Sequence, residues 1–309
     1  MVNQVPVSVV VPTVERPELL ARCLDAVLDA EVFPAEVLVV DQGGAEATAE
    51  VLRDRTTPEV PVRHVRSELR GLSAARNLGL RHAAAPWVAF TDDDCVPDRG
   101  WLRAAVARLE AADDPDGVGG RVLPLGRATP DTHTLSLRLS TTPAVYRGRT
   151  LPWRVGTGGN MVLRADVLRG AGGYDERLGA GTPGLAGEDL EVVHRLLRAG
   201  AALAFEPAVV VYHDRVDARR RLASRRSYGF GMGVFAGLWL RSDPLVALVL
   251  TRWLFDRSKI AVRAVRRRDR WRMTEERLML SGALSGLRYG WRLRSPVPGS
   301  TNTAPPSVV

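Results

Sequence analysis

Cysteine is scarce in this chain: 309 residues contain two, Cys23 and Cys95. Two distant cysteines make no disulfide framework, so the fold must rest on a buried apolar core in a reducing, cytoplasmic compartment. The opening stretch "MVNQVPVSVVVPTVERP" lacks a basic segment followed by an apolar run and a small-residue cleavage site, and no signal peptide is expected. Hydrophobic runs are short. The apolar segment "YGFGMGVFAGLWL" (228–240) falls below the about 20 residues that a spanning helix needs, and Arg241 and Asp243 interrupt its continuation. Internal repeats are absent. Aromatic residues make up 6% of the chain, without the regular spacing of a base-stacking surface, so nucleic acid is not an expected partner.

The chain otherwise has an ordinary composition for a folded protein, 45% apolar and 25% charged, which suits one large domain or one domain plus an appendage. The net charge of +8 conceals a divided chain. Residues 1–214 hold about 23 Lys/Arg against 29 Asp/Glu, whereas the remainder holds about 20 against 6. An acidic body carries a basic terminal piece.

The first half alternates strand-like and helix-like segments. "VPVSVVVPT" (5–13) is a β-branched apolar run, as a buried parallel strand would be. "RPELLARCLDAVLDA" (16–30) spaces Leu19, Leu20, Cys23, Leu24, Val27 and Leu28 as one helix face, with Pro17 at its start. Next come a strand over 35–44, the helix "EATAEVLRD", a strand over 60–67, a helix over 71–83 with Ser73 as N-cap, and the strand "WVAFTDDD". This alternation predicts an α/β fold, a mostly parallel sheet flanked by helices. Ligands bind beyond the carboxyl ends of such strands, which gathers Thr13, Asp41 and Asp92–Asp94 at one edge. Further on, 117–125 reads as a strand and 126–150 as irregular polar chain. A glycine-rich stretch then leads to a helix from about Glu188 and a strand ending at His213.

Three adjacent carboxylates, Asp92, Asp93 and Asp94, repel one another and imply a positive partner. In an extended segment Asp92 and Asp94 point one way and Asp93 the other. Two hard oxygen ligands on one face suit Mg2+ or Mn2+; the competing reading is a solvated turn. Asp41 in "LVVDQGG" is placed either to bind a base or ribose or to close a turn before Gly43 and Gly44. Glu188 and Asp189 open an amphipathic helix with Leu190, Val193, Leu196 and Leu197 on its core face. The helix dipole favours acids there. The preceding glycine-rich loop, however, lets backbone approach a ligand, and a carboxylate on that wall can serve as a general base. His213 is either a structural strand-end residue or a third metal ligand.

In order along the chain, "VSVVVPTVERPELLARCLDAV", "EVLVVDQGG", "GLSAARNLGL", "FTDDD", "GTGGNMVLRADVL", "GGYDERLGAGTPGLAGEDLEVVHRLLRAG" and "VVVYH" resemble glycosyltransferase family 2. The ordered set carries the resemblance, over residues 5 to 214. It implies a GT-A type Rossmann-like catalytic domain at 1–214 and inverting transfer from a nucleotide-sugar donor, a UDP-sugar by the family's commonest nucleotide, with Mg2+ or Mn2+ as cofactor. It also implies roles. Pro12, Thr13 and Arg16 would line the nucleotide pocket with Asp41 on the base, and Arg76 and Asn77 would sit nearby. Asp92 would face ribose and metal, in a DXD-type motif with Asp94 as metal ligand and His213 as a further one. Gly158, Gly159 and Asn160 would border the donor sugar, and Asp189, of the Glu188–Asp189 pair, would be the catalytic base. Because the triplet is all Asp, a register that uses Asp93 stays open.

Residues 215–295 lie outside the resemblance. Their basic, helical composition admits interfacial helices on an anionic membrane, peripheral on the inner face of the cell membrane, beside a lipid-linked or polysaccharide acceptor. It equally admits a helical subdomain packed on the catalytic body. Segment 296–309 has a disordered composition. The composition suggests a bacterial source, with cell-envelope or natural-product glycosylation as the setting. A sugar-nucleotide pyrophosphorylase would need a glycine-rich basic loop near the N-terminus, which "PTVERPELL" is not. A catalytically silent scaffold that binds membranes through the basic piece is the alternative, and it predicts broken acidic sites, whereas every expected acid is present.

Overall fold

The computed structural model describes residues 3–53, 55–57 and 59–293. The chain opens with β1 (Gln4–Thr13), α1 (Pro17–Leu28), β2 (Phe33–Asp41), α2 (Ala45–Arg53), β3 (Val62–Arg66), α3 (Leu72–His82) and β4 (Trp87–Thr91). These strands pair in parallel in the spatial order β3-β2-β1-β4. Alternate residues of β1 feed two cores, one on each face of the sheet. Val9 and Val11 pack with Leu20 and Leu24 of α1, and Val10 packs with Leu80 of α3 and Phe90 of β4. Each fully buried aliphatic side chain of this kind contributes roughly 1.5–3 kcal/mol. Ser73 does not cap α3. That helix starts after Gly71, held at φ 130°, and the Ser73 hydroxyl donates instead to the Leu178 carbonyl at 2.7 Å.

Beyond β4 come β5 (Cys95–Pro97), α4 (Trp101–Leu109), β6 (Gly117–Pro124), β7 (Ala144–Tyr146), β8 (Asn160–Arg164), α5 (Ala165–Gly170), α6 (Glu188–Arg198) and β9 (Leu203–His213). The sheet continues β4-β8-β6-β9-β5, with β7 also on β9. Here β6–β9 is parallel, and β4–β8, β6–β8, β5–β9 and β7–β9 are antiparallel. The mostly parallel sheet expected from the sequence is therefore parallel in its first half and mixed in its second.

Three long helices complete the described chain: α7 (Ala218–Trp239), α8 (Val246–Arg266) and α9 (Arg270–Arg292). The apolar run 228–240 lies inside the protein. Gly229 and Gly231 to Leu238 are buried, and Met232 and Phe235 join a cluster with Leu151 and Trp153 of the preceding part of the chain. Helices α7 and α9 run side by side in the same direction. Gly229, Gly233 and Gly237 face Gly282, Gly286 and Gly290 so closely that a Cβ on Gly286 would run into the Phe230 carbonyl. Spacing of four places each glycine set on one helix stripe. No helix among the described residues is long and apolar enough to cross a membrane. The expected disordered tail, 296–309, lies outside the described residues.

The glycine contact predicts a large effect of one methyl-bearing side chain. Gly286→Val should lower unfolding stability by about 1–3 kcal/mol through overpacking, whereas Leu284→Ser on the exposed side of α9 should stay within about 0.5 kcal/mol. Urea unfolding of the two variants measures the difference.

Candidate active site

The carboxyl ends of β1 and β4 open into a cleft of about 670 Å³. Asp92–Asp94 form a turn there, with the Cys95 N–H donating to the Asp92 carbonyl at 3.0 Å. The division expected of the triplet is present even though the backbone is not extended: Asp92 and Asp94 line the cleft, and Asp93 is fully buried behind it. Asp93 accepts a hydrogen bond from the Thr13 hydroxyl at 2.8 Å and pairs with Arg16 at 2.6 Å. Burial pushes its pKa up to about 6 against the pull of Arg16 and Thr13. Its carboxylate ties the end of β1 to the turn and is turned away from the cleft.

Strand pairing assembles the next part. Antiparallel β5–β9 pairing sets Cys95 opposite His213, and the Asp214 N–H donates to the Asp94 carbonyl at 3.1 Å. His213 Nε2 then lies 3.6 Å from Asp94 Oδ1. Its Nδ1 lies 2.8 Å from the Asp214 carbonyl oxygen. That oxygen can only accept, so Nδ1 carries a proton and Nε2 is the ring nitrogen turned toward Asp94. Asp94 Oδ2 meets Arg220 at 2.8 Å and Arg16 at 3.4 Å. The donor atoms of Asp94, Cys95 and His213 all lie within 4.8 Å of one another. A carboxylate and an oriented imidazole at this separation, with Asp92 facing the same space, fit a divalent cation.

Arg76 forms the other wall. It lies within α3, 1% exposed, and its guanidinium reaches Asp92 Oδ1 and Glu188 Oε1, each at 3.0 Å. Burial works against its charge, but Asp92, Tyr174 and Glu188 more than offset this and raise its pKa above the ordinary arginine value. Burial, and then Asp189, push Glu188 up to about 7 despite Arg76. Asp189 is also raised by burial. Its carboxylate faces the cleft and accepts from the N–H groups of Leu190 at 2.8 Å and Gly158 at 3.4 Å. The β4–β8 register, Thr91 opposite Asn160, presses the Gly158–Gly159 turn against this group. A Cβ on Gly158 would sit 2.6 Å from Arg76 Nη1, and one on Gly159 2.6 Å from Asp92 Oδ2.

Three residues expected at the ligand sit behind the wall. Asp41 is 2% exposed, accepts from the Gly43 N–H at 2.8 Å and faces His64 Nε2 at 3.1 Å, which is its turn-closing reading. Its neighbour Gln42 lines the cleft instead. The Asn77 amide donates to the Tyr174 carbonyl and to Glu176 and accepts from the Tyr174 N–H. Asn160 donates to the Arg121 and Val209 carbonyls and accepts from Trp101 Nε1. These amides are engaged by the protein and latch the loops that carry the site. Conversely, Arg220, Ser224, Ser227 and Tyr228 of α7 line the cleft without having been expected. Arg220 is one of three consecutive arginines; only helical phase, set by the Asp217 cap on the Arg220 N–H, decides which one points inward.

A mixed sheet with acids at its strand ends and a glycine turn across a cleft is the GT-A glycosyltransferase architecture. Residues 8–171 match the model of glycosyl transferase family 2, and the chain belongs to that family. Mannosyltransferase PcManGT from Pyrobaculum calidifontis, solved in complex with GDP-Man and Mn2+, superposes with a TM-score of 0.62 at 20% identity over 91% of this chain and 87% of that one. Among sequence relatives, glycosyltransferase AglE of Haloferax volcanii is 28% identical over 214 residues, 67% of this chain and 66% of the relative. Pre-mycofactocin glycosyltransferase of Mycobacterium tuberculosis is 32% identical over 167 residues, 52% of this chain and 34% of the relative.

Arg76→Met should cost about 3–5 kcal/mol, because it strands two carboxylates around a buried gap. The sign of its pH dependence comes from the raised Glu188. An acid whose pKa is higher folded than unfolded loses stability as pH rises between the two values, and Arg76 is what opposes that rise. Below that folded value both proteins lose stability alike, so the deficit should be level up to about pH 7 and deepen as pH rises beyond it. Urea titrations of both proteins at each pH test this, and a flat deficit would contradict it.

Proposed function

We propose that the chain transfers a sugar from a nucleotide-diphosphate donor, a UDP-sugar, to an acceptor hydroxyl, with inversion and with Mg2+ or Mn2+ as cofactor. The observation that carries this reading is that the Asp92, Asp94 and His213 donor set and the Asp189 carboxylate share one cleft. The Mn2+ that accompanies GDP-Man in the PcManGT structure of the same fold supports it.

Asp92, Asp94 and His213 would hold the cation, which when bound neutralises charge developing on the leaving diphosphate. Arg16 and Arg220, both at Asp94, can turn to phosphate oxygens in charge-assisted bonds. Pro12 and Thr13 line the nucleotide end. Asp189 takes the proton of the acceptor hydroxyl as its oxygen bonds to the anomeric carbon. The anomeric bond to phosphate breaks on the opposite side, its electron pair leaves with the diphosphate, and that one displacement inverts the carbon. The two N–H groups on Asp189 fix its direction, and burial makes it a stronger base than an exposed aspartate. Glu188 is bound to Arg76 and acts as a positioning residue for Asp92. Gly158 and Gly159 leave room beside these groups for the donor sugar.

The α7 wall, with Ser224, Ser227 and Tyr228, offers hydroxyls to a polyhydroxyl acceptor, a polysaccharide or a lipid-linked sugar. Cys23 and Cys95 are buried free thiols, which suits the cytoplasm. A silent scaffold would have no need of the intact acid set.

Calorimetry with nucleoside diphosphates, with and without Mn2+, is the first test. One diphosphate should bind only with metal, and Asp94→Ala should abolish it; no binding under any condition overturns the reading. Asp189→Asn should retain donor binding and lose roughly 10²–10⁴-fold in kcat. The wild-type kcat/KM should rise with pH along a limb lying above the ordinary carboxylate range, since only ionised Asp189 accepts a proton.

A further inference from the structure

The run 228–240 is largely buried, whereas α8 leaves an apolar face exposed. We propose that the outer face of α8 docks on an anionic lipid bilayer. Only Val246, Val249 and Ala264 of this 21-residue helix are buried. Leu248, Phe255 and Val262, 67%, 50% and 49% exposed, recur every seven residues and form one stripe along the helix. Leu254 and Val265 widen it on one flank. On the other flank stand Lys259 and Arg263, with Arg266, Arg267 and Arg268 at the C-terminal end.

Charge chooses the occupant. Acid on α8 is confined to Asp256, already paired with Arg252 at 3.2 Å, and inward-facing Arg257 is paired with Glu276. Among the described residues, none of Lys259, Arg263, Arg266, Arg267 and Arg268 has a carboxylate partner. The Lys259 ammonium instead lies 4.1 Å from the Phe255 ring centre. An apolar stripe flanked by long unpaired cations is the pattern of a helix lying in the plane of a membrane interface. The stripe enters the acyl boundary while the cations extend to lipid phosphates at any lateral position. A protein groove would need fixed acidic partners matched to each cation. The helix is about 32 Å long, so its stripe and its cations can engage the surface together along several turns.

This inference goes beyond the transfer reaction and stands on separate residues. It is tested by flotation of the full chain with phosphatidylcholine vesicles, with and without phosphatidylglycerol. The protein should float with the anionic vesicles alone and be released by high salt. Phe255→Asp, and separately the pair Lys259→Glu and Arg263→Glu, should each weaken vesicle partitioning at least tenfold, with thermal stability and metal-dependent nucleotide binding retained. Absence of flotation, or flotation unchanged in both variants, overturns the proposal. So does loss of a dimer in light scattering of the variants, which would give the face to a second copy of the chain. Nucleotide binding measured on the same samples separates failure here from failure of the transferase reading.

Discussion

The site depends on one buried cation. Arg76 reaches out of α3 to Asp92 and Glu188 at 3.0 Å each, and these carboxylates come from the turn after β4 and the first turn of α6. Without that cation, burial would drive a proton back onto Glu188 and nothing would tie the two segments together. A guanidinium suits the position because its planar fork engages two carboxylates at once and stays charged when desolvated. The bare glycines opposite it, Gly158 and Gly159, reflect the same crowding.

A second constraint is the compensation of acid by cation at Asp94. Arg16 from the loop after β1 and Arg220 from α7 both reach it, so the catalytic body and the basic terminal piece meet at the group expected to hold metal. Cations of the basic terminal piece thus go to different places. Arg220 goes to the cleft. Arg221, Arg225 and Arg257 go to Glu275 and Glu276 of α9. The remainder on α8 faces outward beside exposed Leu248, Phe255 and Val262. Helix α7 serves as a cleft wall at its start and as core along the rest, which its close glycine contact with α9 makes possible.

Much of the fold was legible because its signals are local. Valine-rich β1 and β2, the amphipathic pattern of α1 and the acids at strand ends are consequences of side-chain periodicity and of the chain reversal that each strand end requires. The pointing of Asp92 and Asp94 into one space, with Asp93 behind, was also readable, and it survives a turn because alternation does not need a fully extended backbone. Other features were not local. Ser73 looked like a cap, but Gly71 at positive φ starts the helix and the serine bonds to a distant carbonyl. The mixed half of the sheet depends on which strand fills a gap, and short strands such as β5 carry no signal for their partner.

By itself, then, the sequence determined the α/β class, the edge at which polar groups collect and the chemistry those groups offer, because periodicity and residue type act over a few neighbours. Tertiary structure decided which of them share the cleft. Asn77 and Asn160 became latches and Asp41 a turn closure once neighbouring carbonyls and N–H groups satisfied them. Arg220 became part of the site, and the run 228–240 packed inside the protein while the apolar stripe of α8 stayed outside. The physical reason is that burial and hydrogen-bond satisfaction are set by residues far apart in the chain, and no local pattern records them.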